Sequence, residues 1–195
     1  MVGDDVVDLA DPEAAAVHPR FDARVFGAAE RAALRRSSEP ERLRWVLWAA
    51  KEAAYKLAAK RDPRTIFSPV RFAARLEPDP GGGFSGRVFH GGRAFRVLVR
   101  RVGDALHALA EDGAGSAFCG LARRGDAEDP SRAARELVAR ELARRLGAPR
   151  EAVRFGRRGR VPSVWLAGRD VRADLSLSHH GRFVAFACQL GGGAA

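Results

Sequence analysis

A nine-residue stretch, WAAKEAAYK (residues 48–56), carries residue types that suit phosphate chemistry. In a helix, Trp48, Glu52 and Lys56 follow one another at four-residue intervals and share one stripe, with Tyr55 beside them. Lysine in such a stretch could contact a phosphate or take part in proton transfer, where it is not interchangeable with arginine. A surface Glu–Lys pair beside a packed Trp fits the same spacing. The two aromatic residues argue against a fully solvated face.

Three acids lie in the first predicted strand, VGDDVVDL (residues 2–9): Asp4, Asp5 and Asp8. Acids are unfavourable in strands and costly when buried, so an edge strand or a turn is one interpretation. A metal site is the other, because Mg²⁺ is bound through one or two carboxylates together with water and phosphate oxygens. In a strand, Asp5 shares a face with Gly3, whereas Asp4 projects to the opposite face.

Two further motifs lie near the C-terminus, RRGRVP (157–162) and LSLSHHG (175–181). The first is a basic turn that could be a solvated loop or a phosphate clamp. The second is a strand that ends in polar groups, Ser178, His179 and His180, and a lone histidine in such a place is more often structural. The spacing fits neither an acid–His–Ser hydrolase nor a His-x-x-x-His zinc site.

Two long helices and a series of short strands must position these groups. A capping box formed by Ser38 and Glu41 predicts a helix that runs to about Arg61. Ser131 is predicted to cap a second helix, which Gly147 ends. A shorter helix is predicted at 27–36, and strands are predicted at 2–9, 69–76, 84–90, 93–101, 104–111, 116–122, 152–155, 163–168, 171–178 and 182–189.

A weak internal repeat links the two halves, since each runs from a long helix to a V-R-F strand (70–72 and 153–155) and further strands. Coincidence among common residues would also explain it. We predict an α+β fold, a pseudo-dimer of two similar α/β halves, each a long helix packed on a small antiparallel sheet. The halves are residues 1–112 and 131–195, with residues 113–130 as a linker that holds a short strand. The boundary between two such halves is a common place for ligands to bind.

Composition excludes several classes of protein. With 46% hydrophobic residues the chain is not disordered, and no apolar run reaches the roughly 18–20 residues of a membrane helix. The acidic N-terminus lacks the basic and apolar regions of a signal peptide. Cys119 and Cys188 form neither a disulfide framework nor a zinc set. We therefore expect a cytoplasmic protein that does not bind membranes.

The charge distribution points to an anionic partner and to one helix. Lys plus Arg exceed Asp plus Glu by 34 − 24 = 10, which favours nucleic acid, a phosphate-rich cofactor or an acidic protein. Of these 34 bases 31 are arginine, and the three lysines, Lys51, Lys56 and Lys60, fall within ten residues. Because lysine and arginine are not interchangeable at phosphate sites, this stretch is a candidate site. Lys60 has no assigned motif role.

Together the four motifs resemble those of the 4′-phosphopantetheinyl transferases. WAAKEAAYK is similar to the family's W/F-x-x-K-E-A-x-x-K helix, and VGDDVVDL resembles its G-[IV]-D-[IV] strand, which places Asp5 at the metal-binding aspartate. LSLSHHG resembles [FIL]-x-[IL]-S-H-[ST], which places His179 at the histidine that contacts the 3′-phosphate of coenzyme A. GRVP resembles the G-K-P turn, with Arg160 in the basic position.

The order of the motifs implies a circular permutation. In the longer, two-half type that activates surfactin synthetase, the G-K-P turn and S-H-S strand precede the G-[IV]-D strand, whereas here they follow it. The short holo-acyl-carrier-protein synthases share this chain's order, but they are single units that trimerise. A chain of 195 residues with two long helices is too long for one such unit, so we expect a two-half monomer.

The resemblance implies transfer of the 4′-phosphopantetheine arm of coenzyme A to a serine of an apo acyl or peptidyl carrier protein, releasing 3′,5′-ADP. Carrier proteins of this kind are acidic helical bundles, which suits the positive net charge. Polyketide, nonribosomal-peptide and fatty-acid pathways all use such carriers, and the sequence does not choose among them. Two alternatives stay open: a non-catalytic relative that binds coenzyme A or carriers, and a basic nucleic-acid-binding module, which we do not favour.

The resemblance also implies the roles of single residues. Asp5 and Glu52 would hold Mg²⁺ or Mn²⁺, with Glu52 or a metal-bound water taking the serine proton. Lys56 would contact the phosphate, and Lys51 would lie at the rim of the site. The coenzyme A set is Lys51 together with residues of the C-terminal motifs, namely Arg160, Ser178 and His179.

Several positions depart from the family's pattern. Asp4 stands where an aliphatic residue is usual, and Val7 stands where the long type has a third acid. Asp8 or water would then complete the metal site. His180 replaces a Ser or Thr. Arginines of the second helix are candidates for further 3′-phosphate contacts, namely Arg132, Arg135 and Arg140.

Overall fold

The computed structural model describes residues 1–113, 116–159 and 161–191. This part of the chain forms helices α1 Pro12–Ala15, α2 Phe21–Val25, α3 Ala28–Arg36, α4 Pro40–Arg61 and α5 Pro130–Leu146. Its strands are β1 Val2–Asp8, β2 Ala73–Pro78, β3 Phe84–His90, β4 Arg93–Val102, β5 Ala105–Glu111, β6 Ala117–Arg123, β7 Val153–Arg158, β8 Val161–Leu166, β9 Arg169–Asp170, β10 Asp174–His180 and β11 Phe183–Gln189. None of the helices combines the length and apolar composition that crossing a bilayer requires.

The strands form antiparallel sheets, so the fold is mixed α/β as expected. A five-stranded sheet has the order β1-β5-β4-β3-β2, and two three-stranded sheets have the orders β10-β11-β6 and β7-β8-β9. Strand β6, predicted within the linker, pairs with β11 along its whole length. Strand β2 begins at Ala73 rather than at residue 69, because Pro69–Arg71 forms a 3-10 turn.

Helix α4 packs on the inner face of the five-stranded sheet. Its apolar residues recur at helical spacing, and Val46, Leu47, Ala50, Ala54 and Leu57 are all buried. They meet alternate residues of the strands, which point to one face of a sheet. The small alanines of this stripe allow the sheet to approach the helix backbone closely.

Both long helices begin one or two residues away from the predicted caps. Helix α4 starts at Pro40 with Glu39 before it and no side-chain cap, so the capping box at Ser38 is wrong. Helix α5 is capped by Asp129, whose carboxylate accepts the Arg132 N–H, and not by Ser131. In each helix a proline takes the first position, where its missing N–H costs nothing, so the residue before the proline becomes the N-cap.

Strand β1 is an edge strand whose free backbone groups are covered by side chains of β10. Three backbone N–H groups of β1 donate across the seam between β1 and β10, and each acceptor lies 172 residues further along the chain. The bonds are Val2 to Asp174 Oδ2 (2.5 Å), Asp4 to Ser176 Oγ (3.0 Å) and Asp8 to His180 Nδ1 (3.1 Å). The constant separation means that β1 and β10 run in the same direction. The polar alternation of β10 therefore satisfies an edge that would otherwise be open to pairing.

Apolar residues join the two sheets at the same seam. Val6, Ala105 and Ala185 are buried together, with Leu121 and Phe183 packed against them. The second sheet thus covers the outer face of β1 and β5, the side away from α4. The same face of β2, β3 and β4 stays exposed at alternate residues.

Candidate functional site

Gly3 sets how closely β1 lies on α4. A Cβ atom at this position would be 2.1 Å from the Ala53 carbonyl oxygen and 2.8 Å from the Leu57 nitrogen, both in the helix backbone. Only glycine permits this contact. Because side chains two residues apart share a strand face, Asp5 also points to α4, at the turn that carries Glu52 and Lys56.

Lys56 ties the helix to the strand at Asp5. Its Nζ donates to Asp5 Oδ1 at 3.0 Å and to the Asp4 carbonyl oxygen at 2.8 Å. Burial alone would lower the pKa of this ammonium, but the charges of Asp5 and Asp4 raise it above its ordinary value. The group therefore stays charged while 28% of its side chain remains exposed.

The two carboxyls of the site, Asp5 and Glu52, lack a matching amount of positive charge. Burial, together with the charge of Asp5, raises the pKa of Glu52 to about 7, although Lys56 opposes the shift. Burial also raises the pKa of Asp5, again against the effect of Lys56. Two acids thus share one lysine, and a further cation between them would be stabilised.

This donor set fits Mg²⁺ or Mn²⁺. Both cations prefer hard oxygen ligands, and Mg²⁺ is usually bound through one or two carboxylates with water and substrate phosphates in its other positions. Among the described residues there is no cluster of three or more His, Cys, Asp or Glu side chains that could enclose a metal. The carboxylates that could hold one at this site are those of Asp5 and Glu52.

Lys51 does not lie at the rim of this site, which corrects the prediction. Its side chain is fully buried, and Nζ donates to Glu30 Oε2 (2.7 Å), to the Val25 carbonyl (2.8 Å) and to the Pro69 carbonyl (3.1 Å). Burial lowers the pKa of this ammonium, and Glu30 offsets part of the shift. Five residues before Lys56, Lys51 projects to another side of the helix and into the core.

Ser178 is likewise not available as a coenzyme ligand, because it belongs to a buried cluster around Asp4. Its Oγ donates to Asp4 Oδ2 at 2.5 Å, and His107 Nε2 lies 3.4 Å from the same oxygen. Burial opposes ionisation, yet His107 and Lys56 hold the pKa of Asp4 below its ordinary value. Burial also opposes the charge of His107, whose pKa is nevertheless raised by Asp4 and Cys119. Asp4 is thus a charged, paired residue of the seam.

The carboxylate of Asp8 is paired with Arg182. It accepts from Arg182 Nε (2.7 Å) and Nη2 (2.6 Å) and from the Arg182 backbone N–H (3.0 Å). The hydrogen bonds from Arg182 lower the pKa of Asp8 to about 2, against the effect of burial. The neighbouring His180 accepts the Asp8 N–H and contributes to the electrostatic potential at Asp5.

A cleft of about 750 Å³ opens beside Lys56 at the seam. One wall is α4, with Tyr55, Lys56 and Lys60, and the other comprises Gly159, Val161 and Pro162 of the basic turn with residues 175–177 of β10. Arg160, between two of the lining residues, lies outside the described residues. His179 is exposed and, by the two-residue period of a strand, shares the face of Leu175 and Leu177.

The structural role of Lys60 was not predicted. Lys60 Nζ donates to the Val2 carbonyl and to Asp174 Oδ1, both at 2.7 Å, and so fixes the edge of β1 to the second half. Its four-residue spacing from Lys56 was the available signal. Arg132 and Arg135, proposed near the 3′-phosphate, line a separate groove between α5 and β7.

An acid pair that shares one lysine, beside a lysine-lined cleft, could hold a divalent cation next to a bound phosphate group. A sequence model of the 4′-phosphopantetheinyl transferase superfamily matches residues 1–110, more than half of the 195 residues, so the chain belongs to this superfamily. Membership supports a transferase of this type, which uses coenzyme A and modifies carrier proteins. No curated protein and no solved structure matches the chain.

Proposed function

We propose that this protein transfers the 4′-phosphopantetheine arm of coenzyme A to a serine of an apo acyl or peptidyl carrier protein. The observation that carries the proposal is the placement of Asp5, Glu52 and Lys56 on facing elements next to the seam cleft. In the reaction the serine oxygen forms a bond to the β-phosphorus, the bond to 3′,5′-ADP breaks, and the serine proton is taken up by a base.

The residues have distinct roles in this proposal. Asp5 and Glu52 hold Mg²⁺ or Mn²⁺, which when bound neutralises negative charge on the pyrophosphate. Lys56 contacts a phosphate oxygen as a point charge. Glu52 accepts the serine proton, either directly or through water. Lys60 and Asp174 position β1 and with it Asp5.

The 3′-phosphate of coenzyme A would bind on the other side of the cleft. His179 and Arg160 are the proposed contacts, because the basic turn and β10 form that wall. The substrate would then lie across the two halves of the chain, and a single chain would form a complete site.

The two halves, divided near residues 113–130, are proposed to be related copies in permuted order. The similar order of helices and strands in the two halves supports this proposal. In the first half, β1 and β4 flank β5. In the second, β10 and the linker strand β6 flank β11, and when β6 is counted with the second half, each half has one long helix after its first strand. A sizing experiment that finds a trimer would contradict the proposed monomer.

The transfer is tested by mass spectrometry of apo acyl and peptidyl carriers incubated with the protein, Mg²⁺ and coenzyme A. We expect a carrier to gain the mass of phosphopantetheine with the wild type and not with Glu52→Gln or Asp5→Asn. Glu41→Gln, an exposed acid on the same helix, is the matched control and should retain transfer. No mass gain on any carrier with folded wild type would overturn the activity, and full transfer by Glu52→Gln would overturn the site.

The 3′-phosphate contact is tested with dephospho-coenzyme A, which lacks that group. The wild type should use coenzyme A at a higher kcat/KM than dephospho-coenzyme A, and His179→Ala should reduce this preference by about tenfold. An unchanged preference in His179→Ala would show that His179 does not contact the 3′-phosphate.

A further inference from the structure

The outer face of β2, β3 and β4 carries a row of arginines. Arg75 on β2 pairs directly with Arg87 on β3, and Arg87 pairs with Arg96 on β4. All three are exposed on the face away from α4. Residues directly opposite in an antiparallel pair have Cβ atoms about 4.5–5.5 Å apart, and like charges there are destabilising.

The row is only partly neutralised within the chain. At one end Arg96 donates to Glu111 of β5, and at the other the Arg75 guanidinium lies over the Phe89 ring at 5.1 Å. Arg87, in the middle, has no acid within ion-pair distance in the part of the chain that the structure describes. An arrangement that lowers stability without an internal partner points to an external anion.

The surroundings favour a protein over a phosphate polymer. Leu98 and Leu109, half-buried on the same face, offer apolar contact that suits protein side chains better than a phosphate backbone. Arginine binds carboxylates in a bidentate manner. On a helix, carboxylates at positions i, i+3 and i+7 are separated along the axis by about 4.5 Å and then by about 6 Å. Adjacent strands of a sheet lie about 4.8 Å apart, so the two spacings are similar.

We propose that Arg75, Arg87 and Arg96 form a docking surface for an acidic helix of a partner protein. The guanidinium groups bind successive carboxylates, and Leu98 and Leu109 contact the apolar side of that helix. The surface lies on the opposite face of the sheet from Glu52 and Lys56 and does not depend on the transfer activity.

The probe is a synthetic 21-residue alanine-based helix with Glu at three positions spaced i, i+3 and i+7, compared with the same peptide carrying Gln. At low salt, NMR titration of the labelled protein should shift the signals of the three arginines with the Glu peptide only. Arg87→Glu should weaken the apparent affinity at least about tenfold. Arg93→Glu, an exposed arginine of the same sheet outside the row, should not.

A second measurement uses the free protein. Arg87→Thr should raise the midpoint of urea unfolding at low salt, because it removes like-charge repulsion, and the gain should shrink at high salt. Equal binding of the Glu and Gln peptides, or unchanged binding by Arg87→Glu, would overturn the proposal. Tighter binding of a DNA oligonucleotide with the same dependence on Arg87 would overturn the class of partner.

Discussion

Lys51 and Lys56 lie five residues apart on α4 and are satisfied in different ways. Lys51 is fully buried and has three acceptors, one of them the carboxylate of Glu30. Glu30 in turn accepts from the backbone of Gly27 and Ala74, at 2.7 and 2.8 Å. We call this pair closed, because each charge is surrounded by partners within the protein. These partners belong to α2, α3, α4, β2 and the turn before β2.

Lys56 belongs to an open arrangement. It shares its charge between Asp5 and Glu52, remains partly exposed, and lines the seam cleft. A charged side chain whose partners all lie within the protein stabilises the fold, whereas acidic side chains at a cleft that lack enough positive charge can bind a cation. The same motif therefore supplies one structural lysine and one proposed catalytic lysine.

The largest expected effect is the loss of the closed pair. Lys51→Met leaves the Glu30 carboxylate buried without its ammonium and should lower the free energy of unfolding by about 3–5 kcal/mol. Lys56→Met should lower it by about 1 kcal/mol or less, because the side chain is partly solvated. Urea unfolding at pH 7 measures both, and equal losses would contradict the contrast.

The same two variants should rank in the reverse order for catalysis. Lys56→Met should reduce transfer about a hundredfold, the scale of losing one charge contact to a reacting phosphate. Lys51→Met, assayed at a temperature where it is folded, should retain most of its activity. A larger loss of activity in Lys51→Met than in Lys56→Met would indicate that Lys51 rather than Lys56 acts in catalysis.

A smaller effect is expected where β1 approaches the helix. Gly3→Ala places a methyl group against backbone atoms of Ala53 and Leu57, which cannot rotate away. We expect a loss of about 2–3 kcal/mol, at the upper end for overpacking, and weaker Mg²⁺ binding because Asp5 moves with β1. Gly125→Ala, in a loop with room for the methyl group, is the control. Unchanged unfolding and Mg²⁺ titrations would contradict the close contact.

An effect smaller than those of Lys51→Met and Gly3→Ala concerns Asp8, a third acid of β1, whose carboxylate is paired with Arg182. Its pKa of about 2 lies below the unfolded value of 3.8, so the folded state binds fewer protons and the contribution is complete above pH 4. This contribution, about 2 kcal/mol, should be lost as the pH falls from 4 towards 2. The stability difference between wild type and Asp8→Asn should shrink over that range, and a constant difference would contradict the pairing.

Much of the fold could be predicted from the sequence because its signals are local. The apolar stripe of α4 gave its length, and strands such as Phe84–His90 were placed at their observed bounds by alternation and flanking turns. The N-caps were misplaced because Pro40 and Pro130 take the first helical position, so that the residue before each proline becomes the N-cap. The 3-10 turn at Pro69–Arg71 failed because its apolar residues resemble the start of a strand.

The site was only partly predictable because some partners are distant in sequence. Asp5, Glu52 and Lys56 could be chosen from their motifs. The partner of Lys51 is Glu30, on a separate helix, and the partner of Lys60 is Asp174, 114 residues away. Ser178 resembled a ligand-binding residue, but Asp4 on the facing strand occupies its hydroxyl group.

Direct binding of Mn²⁺ in the presence of coenzyme A, followed by electron paramagnetic resonance, tests the claim that the open acid pair is a cation site. We expect one Mn²⁺ per chain in the wild type and in Glu41→Gln, and loss of that binding in Glu52→Gln and Asp5→Asn. Undiminished Mn²⁺ binding by folded Glu52→Gln would contradict the assignment of the site to Asp5 and Glu52.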